Sequence, residues 1–287
     1  MYDESQAMLV VSDLDGTLLD SHKRLTVRSA GILNEFIAGG GAFTVATARF
    51  PPGCADRIAG LDLRLPAVVM NGAATYSFAG RRFERVHPIP EAAVARVERA
   101  VAARGAGAFV YALDGRTLVV GCSRDDDLEW TQYNSAASRA QYGEPRRVGP
   151  DGWTRAGAVV YIAVVGDDAQ LAEVLGDIDG ISGVRPIPYR NVYTGRDCLE
   201  LAAEGTGKAE AVRELASDLG ADALVVFGDN LNDVDMMRLA DLSFAPANAA
   251  PEALAVADEV IPSNDEDGVA VTVRDRLLRP AGQRVVR

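Results

Sequence analysis

Histidine and cysteine are scarce in this chain of 287 residues: two histidines, His22 and His87, and three cysteines, Cys54, Cys122 and Cys198, lie far apart. Spacing that wide, with no Cys-x-x-Cys pair, excludes a disulfide framework and a thiolate zinc site. Long apolar runs are missing too. The longest, near 156–165, is too short to cross a bilayer, and the first residues are acidic where a secretory leader would be basic. The expected setting is cytoplasmic, with no membrane partner. Lysine and arginine are outnumbered 29 to 41 by acidic residues, a formal net charge of −12, and no dense basic block breaks that surplus. Such a chain is repelled by nucleic acid, which is therefore not an expected partner. The remaining composition, 48% hydrophobic and 24% charged, is that of an ordinary globular protein with apolar mass for one large domain or two moderate ones.

Strand-like and helix-like segments alternate from the start. Met8 to Ser12 is a short apolar run that ends in a polar turn, as a strand buried on both faces does. A helix follows, with Thr26 as N-cap, Ile32, Leu33, Phe36 and Ile37 at helical spacing, and Gly39-Gly40-Gly41 as the stop. Further strands are expected at Ala42 to Ala46 and Ala67 to Met70. The β-α-β logic predicts a parallel sheet. It resumes late, with a helix near Gly207 to Leu219, a strand Ala223 to Phe227, a helix Asn230 to Ala240, and short strands near Leu242 and Val260. Between roughly 83 and 203 the pattern changes to paired strands, such as Ala108 to Leu113 and Thr117 to Val120, separated by helices such as Glu91 to Ala103. The expectation is a doubly wound α/β core, 1–82 with 204–287, carrying an inserted α+β domain, 83–203.

Two acidic motifs sit where chemistry belongs in such a sheet. Asp13-Leu14-Asp15-Gly16-Thr17 closes the first strand, and Gly228-Asp229-Asn230-Leu231-Asn232-Asp233 closes the strand Ala223 to Phe227. Ligands gather outside the carboxyl ends of parallel strands, so both motifs face the same edge. Asp13, Asp15, Asp229 and Asp233 brought together would repel one another, and a hard divalent cation in an all-oxygen site, Mg²⁺, resolves the repulsion. Glu204-Gly205-Thr206-Gly207-Lys208 echoes a nucleotide-binding loop, but Ala209 stands where that motif has serine or threonine. Trp130, Tyr133, Trp153 and Tyr161 in the insertion are expected mainly as core.

In this order and at this separation, the motifs resemble those of the haloacid-dehalogenase superfamily, and more narrowly its Cof-type, subclass IIB, sugar-phosphatase-like members. Thr47-Ala48-Arg49, Lys208, Asn71-Gly72-Ala73, Asn248-Ala249 and the stretch Ser263 to Ala270 extend the likeness over nearly the whole chain. The resemblance implies a Mg²⁺-dependent phosphatase that hydrolyses a small phosphorylated metabolite through an aspartyl-phosphate, with the insertion as a substrate-selecting cap and a monomer or homodimer as assembly. Asp13 would be the nucleophile and Asp15 the acid and base. Thr47 and Lys208 would bind the phosphoryl group, and Arg49, Asn71 and Gly72 the substrate. Asp13, the backbone carbonyl of Asp15, and Asp229 would hold the metal, with Asn232 and Asp233 completing the set, Asp233 directly or through water. The family most often has glycine at position 48; Ala48 would be strained if its backbone needed a positive φ. A phosphomutase, and a non-catalytic binding protein on the same scaffold, are the rival readings.

Overall fold

Residues 7–124, 145–149, 152–190 and 196–278 are described by the computed structural model; Trp130, Tyr133, the Arg190 side chain and the tail from Pro280 fall outside them. The chain divides into two compact units, one running up to Glu84 and resuming at Gly207, the other from Arg85 to Thr206.

The first unit opens with β1 (Met8–Ser12), whose Leu9, Val10 and Val11 are fully buried. A helix, Val27–Ala38, follows. The Thr26 hydroxyl caps it by accepting the Ser29 N–H at 2.9 Å, and Leu33, Phe36 and Ile37 form its buried face. Gly40, at φ +95°, turns the chain into β2 (Ala42–Val45). Next come β3 (Ala67–Val69), β4 (Ala74–Ser77) and β5 (Arg82–Val86), which form a small sheet in that order. Here the structure departs from the simple β-α-β expectation. Strand β3 joins the main sheet through an isolated parallel bridge, Ala46 to Val68, rather than a full ladder, and pairs antiparallel with β4.

The second unit contains β6 (Gly107–Asp114), β7 (Thr117–Cys122), β8 (Arg146–Arg147), β9 (Ala158–Val165), β10 (Val184–Arg190) and β11 (Asp197–Ala203). Their order is β10-β11-β9-β6-β7-β8, antiparallel except for β7 with β8. Helices Glu91–Ala103 and Asp168–Ile178 supply Val94, Val97, Leu171 and Val174 to a core shared with Val110, Ile162, Leu199 and Leu201. Trp153 and Tyr161 are both buried, as expected of them, and the Tyr161 hydroxyl donates to the Glu200 carboxylate.

Back in the first unit, helix Lys208–Leu219 leads to β12 (Ala223–Phe227), β13 (Leu242–Pro246) and β14 (Glu259–Ile261). The main sheet is parallel throughout, in the order β14-β13-β12-β1-β2. Chain order therefore reverses beside β1, and the crevice at the carboxyl ends of β1 and β12 is the switch point where ligands of such sheets bind. The continuous helix expected at 230–240 is split. A 3₁₀ turn, Leu231–Asp233, precedes a short helix, Val234–Leu239, because the Asn230 and Asp233 side chains both bond to backbone N–H groups of this turn. Among the described residues, no helix is long and apolar enough to cross a membrane.

Candidate active site

Asp13 extends the ladder one step beyond β1, its N–H bonding to the Phe227 carbonyl at 2.9 Å, so its side chain stands at the lip of the crevice. Lys208, the first residue of its helix, reaches the same place. Its Nζ donates to Asp13 Oδ1 at 2.6 Å and to Asp233 Oδ1 at 2.7 Å, and all three residues are buried. Burial alone would discharge the lysine, but the two carboxylates more than offset it and hold the ammonium above its ordinary range. The other Asp233 oxygen accepts the N–H groups of Asp229 and Asn230, at 3.1 and 3.0 Å. Asp233 thus fixes both the lysine and the loop that carries Asp229.

Asp229 is held in turn by the Thr17 hydroxyl, which donates to its Oδ1 at 2.8 Å. Gly16, at φ +89°, allows this approach, since a Cβ there would overlap the Asp229 carboxylate. Two asparagines pin that turn from behind. Asn248 Nδ2 donates to the Gly16 carbonyl at 2.8 Å, Asn264 Nδ2 to the Leu19 carbonyl at 2.8 Å, and the Asn264 N–H bonds to Asn248 Oδ1 at 3.0 Å. Sequence reasoning gave these two residues no role. Their partners lie more than two hundred residues away, so only the resemblance of their motifs could have singled them out.

Asp13, Asp229 and Asp233 can each present an oxygen within 4.8 Å of the others. Burial, then the neighbouring carboxylates, pushes the Asp13 carboxyl well above its ordinary value, against the pull of Lys208. Burial and Asp233 likewise push Asp229 up to about 6. A single ammonium leaves negative charge in surplus among hard oxygen donors, and such a set fits Mg²⁺. The other two expected metal residues, Asp15 through its backbone carbonyl and Asn232, have side-chain partners of their own. The Asp15 carboxylate is gripped by Arg49, Nε to Oδ2 at 2.5 Å and Nη2 to Oδ1 at 2.6 Å, and the Asn232 amide donates to Asn71 Oδ1 at 3.0 Å. For Asp15, burial raises the carboxyl, yet the Arg49 hydrogen bonds and charge outweigh it, and the net value falls below the ordinary range.

Thr47 is buried; its hydroxyl accepts the Arg49 N–H at 3.1 Å, and its carbonyl accepts the Asn71 N–H at 3.1 Å. Met70, Asn71 and Gly72 form a left-handed turn, with φ of +55°, +51° and +89°. Ala48 is not among the positive-φ residues, so alanine is accommodated there without strain. Gly72 lets the Gly207 carbonyl pass where a Cβ would sit, which brings Lys208 to the crevice. Gly72→Ala is expected to cost about 2–4 kcal/mol, from the left-handed φ and the overlap. Thermal melting should show the loss, together with a fall in turnover, because the Lys208 backbone must shift.

The family model for haloacid dehalogenase-like hydrolases matches residues 10–273. Among curated proteins, the chain is 28% identical over 282 residues to an Arabidopsis thaliana protein named Endoribonuclease YBEY, chloroplastic, covering 91% of this chain and 45% of that protein. It is 38% identical over 111 residues to the Escherichia coli 5-amino-6-(5-phospho-D-ribitylamino)uracil phosphatase YbjI, covering 38% of this chain and 37% of that one. In both, the matched stretch is less than half of the relative's own length. A solved haloacid dehalogenase-like hydrolase from Bacteroides thetaiotaomicron superposes with a TM-score of 0.74 at 21% identity, covering 94% of this chain and 99% of that one, a likeness of fold. With the family model spanning both acidic motifs and the lysine between them, the chain belongs to the haloacid dehalogenase-like hydrolase family.

Proposed function

We propose that this protein is a Mg²⁺-dependent phosphatase that hydrolyses small phosphate monoesters, a sugar phosphate or a phosphorylated cofactor precursor, through an aspartyl-phosphate on Asp13. The observation that carries this reading is the buried Lys208 ammonium held between Asp13 and Asp233 beside Asp229. The name of the Escherichia coli relative, a phosphatase of a phosphorylated ribityl compound, supports the substrate class.

Asp13, Asp229 and the backbone carbonyl of Asp15 would hold the cation. Bound there, it would neutralise the surplus carboxylate charge and draw electron density from the phosphoryl oxygens. An Asp13 oxygen attacks phosphorus as the ester P–O bond breaks, and the departing oxygen takes a proton from Asp15. Water then gives a proton to Asp15 while its oxygen displaces Asp13 from phosphorus, releasing phosphate. Lys208 donates to the phosphoryl oxygens throughout. The Thr47 hydroxyl does so as well, since it already accepts from Arg49 and has its own proton left to offer. In the grip of Arg49 the Asp15 carboxyl stays ionised, so the first proton transfer requires that pairing to open.

Phosphate release from p-nitrophenyl phosphate and a panel of sugar and cofactor phosphates, with Mg²⁺ and with EDTA, tests the proposal. Turnover is expected with Mg²⁺ and is lost in EDTA. A folded, Mg²⁺-bound protein that releases phosphate from none of them overturns it.

A further inference from the structure

The loops after β13 and β14 reach the same carboxyl edge of the parallel sheet as the two acidic motifs, and each brings an asparagine to it. Asn248 follows β13, and Asn264 follows β14. The Asn248 amide is engaged at both ends: Nδ2 donates to the Gly16 carbonyl at 2.8 Å, and Oδ1 accepts the Asn264 N–H at 3.0 Å. Asn264 is buried, and its own Nδ2 is fixed on the Leu19 carbonyl at 2.8 Å. Two residues beyond Asn248, the Ala250 N–H donates to the Asp229 carbonyl at 2.8 Å. The loop after β13 thus holds the turn of Asp13 to Thr17 by a side chain and the Asp229 turn by its backbone.

Those two turns have reason to separate. Asp13, Asp229 and Asp233 offer oxygens within 4.8 Å of one another, and ionised carboxylates that close repel. Lys208 bonds Asp13 and Asp233; the Gly16 turn is joined to Asp229 by the Thr17 hydroxyl at the carboxylate and by Asn248 with Ala250 at the backbone. An amide suits such a strut. It donates and accepts at once, whereas an ammonium there would compete with a bound cation and a carboxylate would add to the repulsion. We propose that Asn248 is a positioning residue for the cation: with Asn264 fixing its amide, it keeps the Asp15-Gly16 backbone and Asp229 at the separation that Mg²⁺ binding requires. The inference rests on the Mg²⁺ site of the function proposed above and extends that site to a residue with no carboxylate to offer.

Asn248→Ala and Asn248→Asp test this in calorimetric titrations of the substrate-free protein with Mg²⁺. Each is expected to raise the Mg²⁺ dissociation constant by about tenfold or more, the scale for groups that orient metal ligands. The Mg²⁺ concentration that half-saturates p-nitrophenyl phosphate hydrolysis rises with it. Asn248→Asp is the sharper probe, because it keeps the shape and the acceptor for Asn264 but loses the donor to Gly16, and its added negative charge would by itself tighten Mg²⁺. Asn248 is exposed, so neither variant opens a cavity in the core. Leu33→Ala, a deletion at a fully buried position of the first helix, is the stability control. It should lower the melting temperature and leave the dissociation constant within about twofold. If either Asn248 variant binds Mg²⁺ as tightly as the parent, the inference is overturned and the phosphatase reading stands. Equal weakening in Leu33→Ala overturns it too, since lost stability would then account for the effect. A parent that binds no Mg²⁺ overturns the Mg²⁺-dependent reading and the inference with it.

Discussion

Asp13→Asn is expected to lower turnover by about 10⁴-fold or more, the scale seen when a nucleophile is removed, while the protein melts within a few degrees of the parent. The two halves of that expectation have different sources. Asparagine keeps the shape and one acceptor oxygen, so Lys208 retains a partner where it now bonds Asp13 Oδ1. Burial already penalises the charged form of Asp13, and the neutral amide removes that penalty. An amide oxygen, however, does not form the phosphoryl ester. Phosphate release and a thermal melt on the same preparation check both halves. Activity close to the parent's would remove Asp13 from the nucleophile's place.

Lys208→Met should be the most damaging single change to stability. Methionine fills much of the volume but leaves Asp13 and Asp233 buried without their cation, a loss of about 3–5 kcal/mol by analogy with broken buried pairs. Turnover falls with it, by about 10²–10³-fold for one donor to the phosphoryl group. The pH dependence follows from the direction of the carboxyl shifts. In metal-free protein, burial and neighbouring carboxylates raise Asp13 and hold Asp229 at about 6. A carboxyl raised in the folded state contributes its full stabilisation at low pH and loses it as pH climbs through the raised value. The parent in EDTA is therefore expected to melt lower at pH 7.5 than at pH 5.5, with Mg²⁺ removing the difference. Without the lysine the same decline becomes steeper. Scanning fluorimetry of both proteins at the two pH values, in EDTA and in Mg²⁺, reads this directly; matching melts throughout would show that Lys208 does not balance the cluster.

Much of the frame was legible because it is local. Met8 to Ser12 and Ala223 to Phe227 are apolar runs ended by acidic turns, and the structure pairs them side by side with both turns at one edge. The Thr26 cap and the helix Glu91–Ala103 follow from short-range spacing in the same way. What escaped depends on partners distant in sequence or on backbone torsions. The Thr17 bond to Asp229 spans 212 residues, and the Asn264 bond to the Leu19 carbonyl spans 245. Asn71-Gly72 signals a left-handed turn, but nothing announces that it begins at Met70, a residue type that avoids positive φ; the carbonyls of Arg49 and Thr47 hold it there by accepting the Met70 and Asn71 N–H groups. The grip of Arg49 on Asp15 was hidden for a related reason. The resemblance makes Asp15 the acid and base and Arg49 a substrate contact, and only the fold shows them meeting.

The interleaved order of the main sheet also governs when this site can come into existence. Strand β1 lies between β2, its early neighbour, and β12, made from the far part of the chain, and Lys208 meets Asp13 across 195 residues. During synthesis the segment carrying Asp13 emerges long before its lysine or Asp229, and contacts of such range are slow to form. A chain stopped after the second unit would possess the reactive carboxylate with no ammonium beside it and an unpaired, strongly apolar strand edge. Catalytic competence and protection from aggregation are thus acquired in the same late event, the docking of β12 against β1.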